Sequence, residues 1–106
     1  MKLVYGKSKI QLRLEGVIRG NQWKDNKHIL TVGILKEIFN KTKGKCTYCK
    51  TKITLMDFSL DHKIPRVSGG TNKKSNLVAC CLWCNKKKNT LSVKEFMKKL
   101  KVLTQT

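Results

Sequence analysis

In 106 residues the chain carries 24 lysines and arginines against 6 aspartates and glutamates, a net charge of +18 whose self-repulsion a polyanion, DNA or RNA, would relieve. A chain of this length supports one domain with a small core, burying roughly two-thirds of its unfolded surface, so a covalent or metal staple is expected. The start, Met-Lys-Leu-Val-Tyr-Gly-Lys, has no apolar signal core, and no stretch is long and apolar enough to cross a bilayer, which argues against a secreted or membrane-spanning protein and for a reducing, cytoplasmic setting.

Residues 1–27 alternate loosely, with Leu3, Tyr5, Ile10, Leu12 and Leu14 set against Lys9, Gln11, Arg13 and Glu15. That period of two predicts an N-terminal extended arm or hairpin, set apart from a domain over 28–106. His28 reads as ordinary surface. Residues 31–43 switch period: Val32, Leu35, Ile38 and Phe39 share a helical face, Thr31 is an N-cap candidate and Gly44 a stop. Phe58, Leu60, His62 and Ile64 alternate with polar neighbours up to Pro65, predicting a short strand. A loop around Ser68-Gly69-Gly70-Thr71-Asn72 leads to a second apolar run, Leu77 to Cys80. A short helix from Cys81 to about Thr90 follows, and it would bring Asn85 near Asp61 and His62. Ser92 and Glu95 make a capping box for a last helix with Val93, Phe96, Met97 and Leu100 as its apolar stripe. Trp23 and Trp83 are expected in the core.

The cysteines supply the staple. Cys46-Thr-Tyr-Cys49 and Cys81-Leu-Trp-Cys84 are two close pairs separated by an intervening segment, the pattern of a four-thiolate tetrahedral zinc site. Cys80 could replace Cys81 as a ligand, but it reads better as a small buried residue at a strand end.

The order Asp61-His62, Gly69-Gly70-x-Asn72, Ser75-Asn76-Leu77, Cys81-x-x-Cys84-Asn85 and Lys88 resembles the HNH endonuclease family, in its zinc-bearing branch. Order, spacing and flanking residues agree together over residues 32 to about 90, and residues 1–27 lie outside the likeness. The resemblance implies a small α+β fold: a ββα-metal core stapled by zinc, with flanking helices. It implies His62 as general base, and Asp61 and Asn85 as ligands of a catalytic Mg²⁺ or Mn²⁺. Asn76 would pin the loop against the His62 strand and set the imidazole's direction. Arg66, Lys86, Lys87 and Lys88, beside a phosphate site, are expected on the DNA backbone. Asn85 departs from the usual last histidine of the trio and gives an H-N-N form.

The expected function is metal-dependent cleavage of DNA phosphodiester bonds, nicking or double-stranded, in a bacterial host's cytoplasm. A phage or mobile element is the expected source, with a homodimer or a phage packaging component as further partners. The competing expectation is a zinc-stabilised DNA-binding module that does not cut. An RNA-binding zinc protein would leave Asp61-His62 without a role.

Overall fold

The computed structural model describes residues 6–23, 25 and 27–104. Within them a two-stranded antiparallel sheet carries four helices. Strand β1 (Ser59–His62) pairs with β2 (Leu77–Cys80), with Ser59 opposite Cys80 and His62 opposite Leu77. Helix α1 spans Lys9–Gln22, α2 Val32–Asn40, α3 Leu82–Lys88 and α4 Val93–Thr104. The fold is thus small α+β, with strand, loop, strand and helix at its centre.

Helix α1 corrects the arm or hairpin expected over residues 1–27. Leu3 and Tyr5 of that expectation lie outside the described residues. Ile10, Leu12 and Leu14 do alternate in sequence, but only Leu14 is buried; Leu12 lies half exposed in water. Leu14 packs in the core with Val17 and Ile18 beside it, the i, i+3, i+4 spacing of a helix. The local signal is Ser8, whose hydroxyl accepts from Gln11 N at 3.1 Å and caps the first turn. Arg13 then ties α1 to the chain before β1: its guanidinium lies 4.7 Å from the Phe58 ring centroid and donates to the Leu55 and Phe58 carbonyls. Leu14 belongs to the same apolar core as Leu35, Phe58 and Phe96, so the boundary expected at 27/28 does not divide the core.

The helix caps expected at Thr31 and Ser92 both form. Thr31 caps α2 through a bond from Ile34 N at 3.1 Å, and the chain leaves that helix through Lys43 and Gly44, both in the left-handed region. Ser92 and Glu95 form the reciprocal capping box of α4, Glu95 N to Ser92 Oγ at 3.1 Å and Ser92 N to Glu95 Oε1 at 2.9 Å. Strand β1 is shorter than the alternation predicted. It stops at His62 because the Asn76 side chain takes over the next backbone groups, accepting from Ile64 N and donating to Ile64 O.

The loop between the strands explains its glycine pair. Gly69 has φ 92°, a conformation costly for any side chain, while a Cβ on Gly70 would lie 1.6 Å from the Ile64 carbonyl oxygen. Gly70 N donates back to Pro65 O at 2.9 Å, closing the turn. Both tryptophans depart from the expected core positions: Trp23 is 68% and Trp83 45% exposed.

Candidate active site

The four sulfurs of Cys46, Cys49, Cys81 and Cys84 lie within 4.8 Å of one another, and Cys49 Sγ is 3.7 Å from Cys81 Sγ. A tetrahedral ion about 2.3 Å from each sulfur would set them roughly 3.8 Å apart, so the cluster fits zinc in spacing and in donor softness. The two knuckles are positioned differently. Cys46 and Cys49 sit on a turn closed by the Lys45–Lys52 bridge, whereas Cys81 caps α3, its sulfur accepting from Cys84 N at 3.4 Å. Burial pushes the Cys81 and Cys84 thiols up. At Cys49 burial acts the same way but is outweighed by hydrogen bonding with Thr51, then with Cys84 and Cys46, which together bring that thiol down to about 7. Cys80 is fully buried in β2 and outside the cluster, the place expected for it.

Asp61, His62, Arg66 and Asn85 line one cleft of about 190 Å³, together with Pro65, Asn89 and Thr90. A larger hollow of about 430 Å³ lies between α2, the first knuckle and β2; it is lined by Lys41, Lys43, Lys45 and Lys50, and Asp61, His62, Arg66 and Asn85 are not among its lining residues. The smaller cleft holds the residues expected to be reactive because β1 delivers Asp61 and His62 at its end and α3 packs across that strand.

Asp61 is 4% exposed. Its Oδ2 accepts from the Tyr48 hydroxyl and lies 3.5 Å from Lys88 Nζ. Both donors use Oδ2, so Oδ1 is the oxygen that carries neither. Burial pushes the Asp61 carboxyl up, against the Tyr48 hydrogen bond and the Lys88 charge, which favour the carboxylate. Tyr48 is itself braced edge-on by Phe96, with ring centroids 5.3 Å apart, and burial together with Asp61 raises its hydroxyl.

Two asparagines organise the loop behind His62. Asn76, expected there, accepts from Ile64 N at 2.8 Å and donates to Ile64 O and Thr71 O, clamping the loop to the end of β1. Its hydrogen bonds all go to backbone. The imidazole is met instead by Asn72, whose Oδ1 lies 2.7 Å from His62 Nε2. Asn72 is 2% exposed and anchored to the N-terminal part of the chain, its Nδ2 donating to Asn21 O at 3.0 Å and its backbone N to Asp25 Oδ2 at 2.7 Å. His28 serves the same anchor, placing Nδ1 3.1 Å from Asp25 Oδ2.

The HNH endonuclease family profile matches residues 46–101, just over half of the chain. The chain belongs to the HNH endonuclease family. A 45-residue stretch is 44% identical to the CRISPR-associated endonuclease Cas9 of Corynebacterium diphtheriae, covering 42% of this chain and 4% of that protein. The crystal structure of the Type II-C Cas9 enzyme from Actinomyces naeslundii superposes on 82% of this chain with a TM-score of 0.59 and 25% identity. This chain spans a tenth of that enzyme's length.

In this HNH domain the lysine run after Asn85 divides. Lys86 and Lys87 are exposed, and Lys87 Nζ lies 5.9 Å from the Trp83 ring centroid. Lys88, expected on the DNA backbone, is fully buried: its Nζ donates to His62 O at 2.9 Å and faces Asp61. Helix period is the reason. Lys88 lies four residues after buried Cys84, on the inward face of α3. Reading the three lysines by helical position would have singled it out, and Tyr48, between Cys46 and Cys49, carried no comparable signal in the sequence.

Proposed function

We propose that the cleft hydrolyses DNA phosphodiester bonds with the help of one Mg²⁺ or Mn²⁺. The observation that carries this reading is the convergence of a histidine, a carboxylate, a carboxamide and an arginine on one small cleft beside a strand end. The oxygens of Asp61 and Asn85 are the hard donors such an ion takes, and they would hold it. When bound, the ion supplies positive charge against the phosphate and the leaving 3′ oxygen. His62 takes a proton from the attacking water, a task suited to imidazole at neutral pH. Arg66 pairs with a phosphate oxygen. Lys86 and Lys87, exposed on α3, meet neighbouring phosphates. Lys88 and Tyr48 hold the Asp61 carboxylate by its Oδ2, and Asn76 keeps the loop against β1. Cys46, Cys49, Cys81 and Cys84 would hold a zinc ion, which would join the two knuckles and help to fix α3 beside the strand.

One site cuts one strand, so a double-strand break requires two copies or two successive nicks. A phage or mobile-element DNA is the setting this reading favours. Supercoiled plasmid incubated with the zinc-loaded protein and Mg²⁺ or Mn²⁺ tests it: nicked or linear product is expected, and a mobility shift without cutting would leave a DNA-binding module.

A further inference from the structure

We propose that Asn72, held by the N-terminal helix and the turn after it, fixes His62 in the tautomer that carries its proton on Nε2, leaving Nδ1 as the basic nitrogen. The contact itself is short, 2.7 Å from His62 Nε2 to Asn72 Oδ1. A neutral imidazole has one nitrogen that donates and one that accepts, so its partner's polarity decides which is which. The Asn72 carboxamide settles that polarity through its other end. Its amide nitrogen meets the backbone carbonyl of Asn21 at 3.0 Å, and a carbonyl only accepts. Turning the carboxamide over would set two acceptors against each other there. The oxygen therefore faces the ring, and Nε2 is the donor. When Nδ1 takes up a proton, the same oxygen goes on accepting from Nε2–H, so the imidazolium keeps its place.

Asn72 has little freedom to give this up. It is buried, its backbone N–H is fixed by Asp25 Oδ2 at 2.7 Å, and Asp25 is fixed in turn by Lys27 N at 2.9 Å and by His28. Two residues earlier, Gly70 lies so close to the Ile64 carbonyl that the loop has no room for a side chain there. The supports at Asn21 and Asp25 precede the residues 46–101 matched by the family profile. In this chain the orientation of the base thus depends on a segment outside that match. Asn72 acts through His62 and is a positioning residue.

The role in catalysis rests on the reading of His62 as general base; the tautomer does not. Long-range proton–nitrogen correlation spectra of ¹⁵N-labelled, zinc-loaded protein without Mg²⁺, at a pH where the ring is neutral, read the tautomer directly. The wild type is expected to show Nε2 protonated and Nδ1 bare. Asn72→Ala is expected to give a tautomer mixture, because no carboxamide oxygen then accepts from Nε2–H. Asn72→Ala should also lower kcat about 10- to 100-fold with KM and zinc content little changed, the scale seen when a positioning hydrogen bond is removed. Protonation at Nδ1 in the wild type would overturn the proposal even if no variant folded. So would unchanged ring signals in Asn72→Ala. A wild type with the Nε2–H signature that does not nick plasmid would support this assignment and sink the nuclease reading alone.

Discussion

Single side chains in the cleft divide into those that would act and those that hold them, and substitution separates the two. His62→Ala should abolish plasmid nicking while zinc content, fold and DNA affinity stay near wild type, because the ring is only partly buried and its work is on water. Residual nicking within about tenfold of wild type would remove His62 as the base. Lys88 belongs to the other group. Its Nζ is buried against Asp61 and the His62 carbonyl, and removing one member of a buried pair leaves an uncompensated charge. Lys88→Ala should therefore cost about 3–5 kcal/mol in denaturant unfolding, whereas Lys86→Ala and Lys87→Ala should stay within about 0.5 kcal/mol. Equal small losses at all three positions would contradict the inward placement of Lys88. The legibility of these residues in sequence follows their range. Asp61-His62 and the cysteine pairs are local patterns with chemistry attached. Asn72 acquires its role from partners 47 and 51 residues away in sequence, and no local pattern announces that.

At the scale of elements, the two knuckles meet in the four-cysteine cluster. Cys46→Ser or Cys84→Ser should lose bound zinc and much of the helical signal, since a structural ion contributes folding free energy directly. Cys80→Ser, outside the cluster, should retain stoichiometric zinc by metal analysis; loss there equal to the other two would mean that the ligand set is wrong. Helix α1 was the least legible element. Ile10 and Leu14, four apart, satisfy a helical repeat as well as an alternating one, and Ser8 as a cap was the deciding feature. Its connection to the site carries a pH dependence through Asp25. The Asn72 backbone N–H above all, then Lys27 and His28, hold that carboxyl well below its usual range against the opposing effect of burial. A depressed folded value means that the stabilisation is fully present above the unfolded value of about 3.9 and is lost as pH falls through the folded one. The gap in Tm between wild type and Asp25→Ala should thus be widest near neutrality and close progressively below about pH 4. A gap independent of pH would show that the Asp25 charge does not hold the turn.

For the whole molecule the dominant fact is charge, +18 on 106 residues, and it should govern how the domain meets its substrate. Not all of this charge faces the cleft: Lys41, Lys43, Lys45 and Lys50 surround the separate hollow beside the first knuckle, while Arg66 lines the cleft and Lys86 and Lys87 project from α3 beside it. Each phosphate neutralised releases condensed counterions, so the logarithm of the association constant should fall with the logarithm of salt concentration at about 0.9 per contact on duplex DNA. Three contacts from Arg66, Lys86 and Lys87 predict a slope of at least about −3. Lys88, turned inward, adds nothing to that count. Replacing Lys86 and Lys87 together by alanine should reduce the slope by about 2 and weaken binding to unrelated sequences alike, because backbone contacts carry no base information. Fluorescence anisotropy of a labelled duplex, titrated with the Mg²⁺-free protein across a salt series, gives both slopes. An unchanged slope in the double variant would place the duplex on another basic face, with the lysine-lined hollow as the first to examine, and a slope near zero in the wild type would exclude backbone-dominated binding altogether.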